Sequence, residues 1–316
     1  MVSRRYLRTK TMQALYAHSM KPFENALTAE KDLIQTVKDC YTLFLWFFSM
    51  LPEVTYYRRN KLEDLKGKHN PTFEDLNPNT KFVDNRIIQQ MEDNKTLKVL
   101  FPQYHINWTN DTDFIVKLFH EIEESEEYVA YMANPERSYE EDRQLVYGII
   151  QNIIANNDFI RWFFGEKNPN WLDDFEEALA MFYKNVGEFK ASKGDDCKIQ
   201  KLFKDDVEDV QFCRELFRKT LEHDAEYEEM IEAKLQNWEL DRVIGMDILL
   251  MKMAICEFME FPTIPLKVTL NEYIDLAKDY SSDKSKVFVN GILDRMIVDL
   301  RDQGKLHKTG RGLYQN

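Results

Sequence analysis

The sequence predicts an all-α protein, and three observations carry that expectation. Only 10 glycines and 9 prolines occur in 316 residues, too few turn formers for a sandwich or barrel of many short strands. Apolar residues recur at i, i+3, i+4 and i+7 through most of the chain, the helical period. Apolar residues make up 44% and charged residues 31%, enough for a sizeable core and unlike a disordered chain.

The elements follow in order. Ser3 can N-cap a first helix running to Met20, with Leu7, Thr11, Ala14, Leu15 and His18 on one face. A second helix is expected over 28–58. Its run from Tyr41 to Phe48 is apolar all round and therefore central, and Pro52 should kink or break it. Residues 60–80, with Pro71, Pro78 and several Asn, read as a polar loop. Helical patterns follow over 81–93, 110–133, 137–157 and 171–188, the last after the break Asn168-Pro169-Asn170. The acidic run Glu121–Glu127 fits a solvated helix face, and Lys193-Gly194-Asp195-Asp196 a surface turn.

Beyond residue 202, helices are expected over 203–222 and 225–236, and from Trp238 to Glu260 with Leu240, Val243, Ile244, Ile248, Met251, Ile255 and Phe258 at core spacing. Pro262 and Pro265 end that segment. Thr269-Leu270-Asn271-Glu272 has the form of a capping box opening the next helix. A last helix carries Phe288, Ile292, Met296 and Leu300, with Gly291 suited to a close helix contact, and the basic tail after Gly304 is expected to be mobile. The openings Asn170-Trp171 and Asn237-Trp238 echo one another, which fits either a partial duplication or chance similarity of amphipathic helices.

Charge is distributed unevenly. Lys and Arg total 42 against 55 Asp and Glu, a net charge of −13, which excludes a globally basic nucleic-acid binder. Residues 1–23 nevertheless hold Arg4, Arg5, Arg8, Lys10 and Lys21 and no acid, and residues 301–316 hold four basic residues against Asp302. Two basic ends flank an acidic body. Cys40, Cys197, Cys213 and Cys256 form no CxxC knuckle. With no apolar leader and no stretch long enough to span a bilayer, a cytoplasmic protein with reduced thiols and no membrane association is expected.

Chemistry-bearing motifs are missing. GxxxxGK, GxGxxG, GxSxG and HExxH do not occur, and the six histidines are scattered. No catalytic residue, metal ligand or cofactor is expected. The informative motif is Arg4-Arg5-Tyr6-Leu7-Arg8-Thr9-Lys10. Arg4 and Arg8 share a helix face and Arg5 lies about 100° round. Such a helix can lay guanidinium forks along a phosphate backbone and stack on exposed bases. The same arginines could instead pair with the acidic body, and the residues themselves leave both readings open.

Arg4-Arg5-x-x-Arg8 followed by Gln13-Ala14-Leu15-Tyr16 resembles the opening of the NusB family of transcription antitermination factors. The C-terminal third resembles it more closely. Asn237-Trp238-x-Leu240-Asp241-Arg242, Ile264-Pro265, Asn271-Glu272, Ala277-Lys278 and Phe288-Val289-Asn290-Gly291-Ile292-Leu293-Asp294 keep the family's order and spacing. The resemblance covers 1–20 loosely and 203–298 closely.

It implies a helical bundle in two subdomains with additional central helices: N-terminal helices over 1–60, an insertion or extension over 61–200 without counterpart in short family members, a C-terminal bundle over 201–302, and a basic tail over 303–316. It implies no catalysis, but binding of boxA RNA of ribosomal RNA operons together with NusE, a ribosomal protein, within an RNA polymerase antitermination complex. The RNA-binding residues it implies are Arg4, Arg5, Arg8, Gln13, Tyr16, Lys284 and Lys286, with Glu257 and Phe288 toward NusE. The family usually places an acid before the loop serine and a lysine before the phenylalanine, where this chain has Lys284 and Val287. The helix after Trp238 usually carries two arginines in the family, at positions that are here Ile248 and Lys252. Two other readings compete: a protein-only scaffold whose insertion docks a partner, and an RNA methyltransferase with a NusB-like domain. The latter would need a Gly-rich α/β domain, which the chain to Asn316 lacks.

Overall fold

The computed structural model describes residues 1–21, 25–235 and 243–313, and contains no strand among them. The order is α1 (Arg4–Ser19), α2 (Ala26–Lys66), α3 (Phe73–Leu76), α4 (Arg86–Asp93), α5 (Lys95–Gln103), α6 (Thr112–Glu123), α7 (Glu126–Ala133), α8 (Tyr139–Gly148), α9 (Asp158–Lys167), α10 (Trp171–Gly187), α11 (Asp206–Glu222), α12 (Asp224–Glu232), α13 (Gly245–Glu260), α14 (Leu266–Tyr280) and α15 (Ser285–Asp302). A π-helical segment, Ile149–Ile154, follows α8, and a 3-10 segment, Ala191–Asp196, follows α10. The all-α expectation holds.

Helix starts obey side-chain capping. Ser3, Asn85, Asn94, Ser125, Ser138, Asn157 and Asp205 each accept hydrogen bonds from backbone N–H groups of the following first turn, satisfying donors that a helix leaves unpaired. Ser125 thereby splits the expected 110–133 helix into α6 and α7, and Asn94 starts an additional helix, α5.

The chain divides into two compact units. One comprises Met1 and Lys38–Leu202, the other Val2–Val37 and Phe203–Asn316. In the first, the apolar run of α2 meets the aromatic residues of α9 and α10. Phe47 lies 5.4 Å from Phe164 and 5.3 Å from Phe175, and Phe48 lies 4.7 Å from Phe182, centroid to centroid. All of these rings are fully buried. The Trp108 indole N–H donates to Ser49 Oγ at 3.0 Å, which lets a polar edge enter this core. Pro52 does not break α2, which continues past residue 60 to Lys66. Met50, Leu51 and Val54 around the proline are fully buried, so packing outweighs the one backbone hydrogen bond that proline removes.

In the second unit α13 is the hub, packed against α1, α11, α12, α14 and α15. Every residue from Leu250 to Phe258 is buried, Lys252 and Glu257 included. Lys252 Nζ meets Asp224 Oδ1 at 2.7 Å and also Glu228, binding α13 to α12. Ile244, expected in the core, is 47% exposed just before α13. The motif from Asn237 to Arg242, with Trp238, lies outside the described residues. Cys213 and Cys256 are buried, and burial pushes both thiols up to about 12.

Three further expectations fail in this unit. α14 begins at Leu266, after Pro265, and Thr269 lies inside it, fully buried. The Thr269 hydroxyl donates to Glu257 Oε1 at 2.7 Å and Glu272 takes Arg5 instead of closing a capping box. A Cβ at Gly291 would meet nothing within 4 Å, so it marks no close helix contact. The tail is docked as far as it is described, to Leu313: Lys308 Nζ donates to the carbonyls of Glu257 and Phe261 at 3.1 and 2.9 Å, and Thr309 N–H to that of Pro262 at 2.9 Å. A lysine at a helix C-terminus satisfies carbonyls the helix leaves open.

Replacing Phe182 with Ala should destabilise the first unit by about 3–5 kcal/mol, read by urea denaturation; a loss under about 1 kcal/mol would contradict the packed aromatic core. Burial, opposed by attraction to Glu257, lowers the Lys308 amine from 10.5 to about 8. An unfolded chain then binds more protons than the folded one between these values. The stability of the native chain relative to Lys308→Met should therefore rise from pH 8 to pH 10.5. A flat difference across that range would show the amine to be solvated.

Candidate nucleic-acid interface

The basic opening folds as the first two turns of α1. Helical spacing turns its three arginines toward different surroundings. Arg4 Nη2 contacts Glu208 Oε1 at 2.9 Å and Asp209 Oδ1 at 3.1 Å on α11, while its guanidinium lies 4.5 Å from the Phe212 ring centroid. Arg5 reaches α14, with Nε 3.1 Å from Glu272 Oε2 and Nη2 2.5 Å from Asp275 Oδ2. The hydrogen bond to Glu272, partly opposed by burial, raises the proton affinity of Arg5. Both side chains keep a third or more of their surface in solvent.

Arg8 is different. Its side chain is 3% exposed, and Nε and Nη2 engage Glu257 Oε2 and Oε1 at 2.8 and 2.7 Å. Glu257, fully buried, also accepts from Thr269 Oγ1 at 2.7 Å and Tyr273 OH at 3.2 Å. Burial would lower the proton affinity of Arg8, but attraction to Glu257 more than reverses that and raises it. Burial and the same carboxylate push the Tyr273 phenol well up. Arg8 is thus a core cation and Glu257 its counter-ion. Arg8 shows only an edge and Glu257 no surface, so the RNA and NusE roles that the resemblance implied for them would require this pair to open.

The remaining residues are scattered more widely. Gln13 is half-buried on α1 and Tyr16 is 42% exposed. Lys284 and Lys286 are exposed at the start of α15, and Phe288 is half-buried one turn later. Ser285, between the two lysines, is buried and donates to Asp247 Oδ2 at 2.8 Å. That bond ties the start of α15 to α13. Lys284 and Lys286 therefore stand on an anchored helix start, on a different element from the arginines of α1.

Arg4 and Arg8 line one wall of a groove of about 1280 Å³. Phe212 of α11 and the connection from Phe261 to Pro265 line it as well, with Arg311 from the C-terminal tail. Sequence reasoning missed Arg311, because nothing in a Gly-flanked basic tail announces where it folds back. It also missed the pairing of Arg8 with Glu257, whose only sequence signal is an acid inside the apolar run of α13.

A model of the NusB family matches residues 176–298. Similar proteins are the transcription antitermination proteins NusB of Salinibacter ruber, 46% identical over 102 residues, of Chloroherpeton thalassium, 39% over 108, and of Myxococcus xanthus, 39% over 97. The matches cover 64%, 51% and 69% of those proteins and 32%, 34% and 31% of this chain. The chain belongs to the NusB family. Its matched stretch thus spans less than two thirds of the first two relatives. The NusB match takes in most of α10 and all of α11, α14 and the described α13, and ends within α15. It does not extend to α1 or to the tail beyond residue 298.

Arg8→Ala should destabilise the second unit by about 3–5 kcal/mol by leaving Glu257 buried without its counter-ion. Arg4→Ala and Arg5→Ala should each cost no more than about 1 kcal/mol, as exposed ion pairs do. Denaturant titration of the three variants checks the contrast. Equal losses for all three would refute the division between core and surface arginines.

Proposed function

We propose that the chain is an RNA-binding transcription antitermination factor acting with NusE on boxA RNA of ribosomal RNA operons. The observation that carries this reading is the pair Arg4 and Arg5, partly exposed at the start of α1 in a NusB-family chain of net charge −13. Of their present partners Glu208, Glu272 and Asp275 remain in contact with solvent, pairings weak enough for a phosphate to replace, while Asp209 is buried. The charge is local, so it attracts a strand to one place and not to the whole surface. Tyr16, exposed on the same helix, offers a ring on which a base can stack. Lys284 and Lys286 at the start of α15 serve as a second cationic contact in this reading, and Phe288 beside them as part of the NusE contact.

In the same proposal the residues from 61 up to the start of the family match at 176 are an insertion or extension carried by the family bundle. A protein-only scaffold is the second reading. It is favoured by the carboxylates that already hold Arg4 and Arg5.

Binding of single-stranded boxA RNA over a salt series, with and without NusE, separates the two. In the first reading the double variant Arg4→Ala/Arg5→Ala binds more weakly and flattens the log–log salt slope by about 1.4, two contacts at about 0.7 each. Unchanged affinity and slope in the folded double variant would reject RNA binding at α1 and leave the scaffold.

A further inference from the structure

The family match ends at residue 298, yet the chain continues for a further 18 residues. That extension follows a definite path. α15 closes at Gly304, whose φ of +68° suits glycine, and Lys305 N–H returns to the Leu300 carbonyl at 2.9 Å. Lys308 and Thr309 then bond to the end of α13 and to Pro262. Gly310 has a φ of +52°, and a Cβ on Gly312 would lie 1.9 Å from the Pro262 carbonyl oxygen. Glycine is thus demanded at both neighbours of Arg311, once by backbone conformation and once by contact.

Two such constraints fix where residue 311 sits. Its side chain lines the groove that also holds Arg4. Arg4 and Arg8 there are each engaged by carboxylates. Among the described residues Arg311 forms no ion pair, although it is exposed in a strongly acidic protein. Of the five acids lining the groove, Glu208 is held by Arg4, Glu260 by Lys219 and Glu272 by Arg5, while Asp205 accepts from the backbone N–H groups of Val207 and Glu208 and Glu215 accepts from the Gln211 amide.

We propose that residues 305–313 form a strap that makes Arg311 a further RNA-contacting residue, holding a backbone phosphate in the groove beside Arg4. This rests on the RNA reading of α1 given above. A phosphodiester strand suits the site because its charges repeat along one chain, so a strand lying on Arg4 and Arg5 continues into the groove. A planar guanidinium fork also matches two phosphate oxygens.

The test uses the full chain and a fluorescent single-stranded boxA RNA oligonucleotide in a salt series. Arg311→Ala should weaken binding about fivefold near 0.1 M salt and flatten the log–log slope by about 0.7, one contact's worth. Arg311→Lys should restore most of the slope. Gly312→Val, which displaces the strap from Pro262, should reproduce the Arg311→Ala loss. If Arg311→Ala binds as the native chain does while Arg4→Ala/Arg5→Ala is weakened, the inference is overturned and the RNA reading stands. If none of these variants changes RNA binding, the RNA reading fails and takes the inference with it. Loss of NusE binding in Arg311→Ala with RNA binding intact would make the groove a protein site and would also overturn the inference.

Discussion

The buried pair of Arg8 and Glu257 organises the NusB-family unit. It joins α1 to α13 in a place with almost no water, and the Thr269 and Tyr273 hydroxyls bring α14 to the same carboxylate. Removing two charges from water is costly and is offset only when geometry is good and the remaining lone pairs are satisfied. Here the guanidinium contact is bidentate and the carboxylate takes two hydroxyl donors besides. The orientation of α1 follows from this, because Arg8 can meet Glu257 only if Arg4 turns toward α11 and Arg5 toward α14. The exposed cations are therefore placed by a buried one.

The tail depends on the same region. Lys308 donates to the main-chain carbonyl of Glu257, the residue whose side chain holds Arg8. One residue thus anchors the start of the chain through its carboxylate and the tail through its carbonyl. The two basic ends, far apart in sequence, meet along one groove as a consequence. The arginines that line this groove therefore come from both ends of the chain.

The unit built from Met1 and residues 38–202 is held in another way. Its core is a set of aromatic rings in edge-to-face and stacked contact, with α2 supplying Phe44, Phe47 and Phe48. Polar groups enter where a partner is ready. Lys81, 3% exposed, donates to the carbonyls of Tyr131 and Asn134 and to Glu141, and the Tyr131 hydroxyl donates to buried Asp142. Such satisfied groups specify how neighbouring elements join, which apolar contacts alone do loosely.

The sequence by itself determined the helical class, most helix positions, the centrality of the run from Tyr41 to Phe48, and the family resemblance. These rest on local properties: the 3.6-residue period, the scarcity of Gly and Pro, and side chains that cap the turn beside them. It did not determine that α2 passes through Pro52, because the compensation comes from distant residues packed around Met50, Leu51 and Val54. The Thr269–Glu272 box was misread for the same reason. Its two side chains found better partners in Glu257 and Arg5, residues from other helices. Arg4, Arg5 and Arg8 look alike in one dimension, and only tertiary packing made one a core cation and left two at the surface. The path of Arg311 was likewise decided by the carbonyls of Glu257, Phe261 and Pro262, acceptors that no local pattern in the tail reveals.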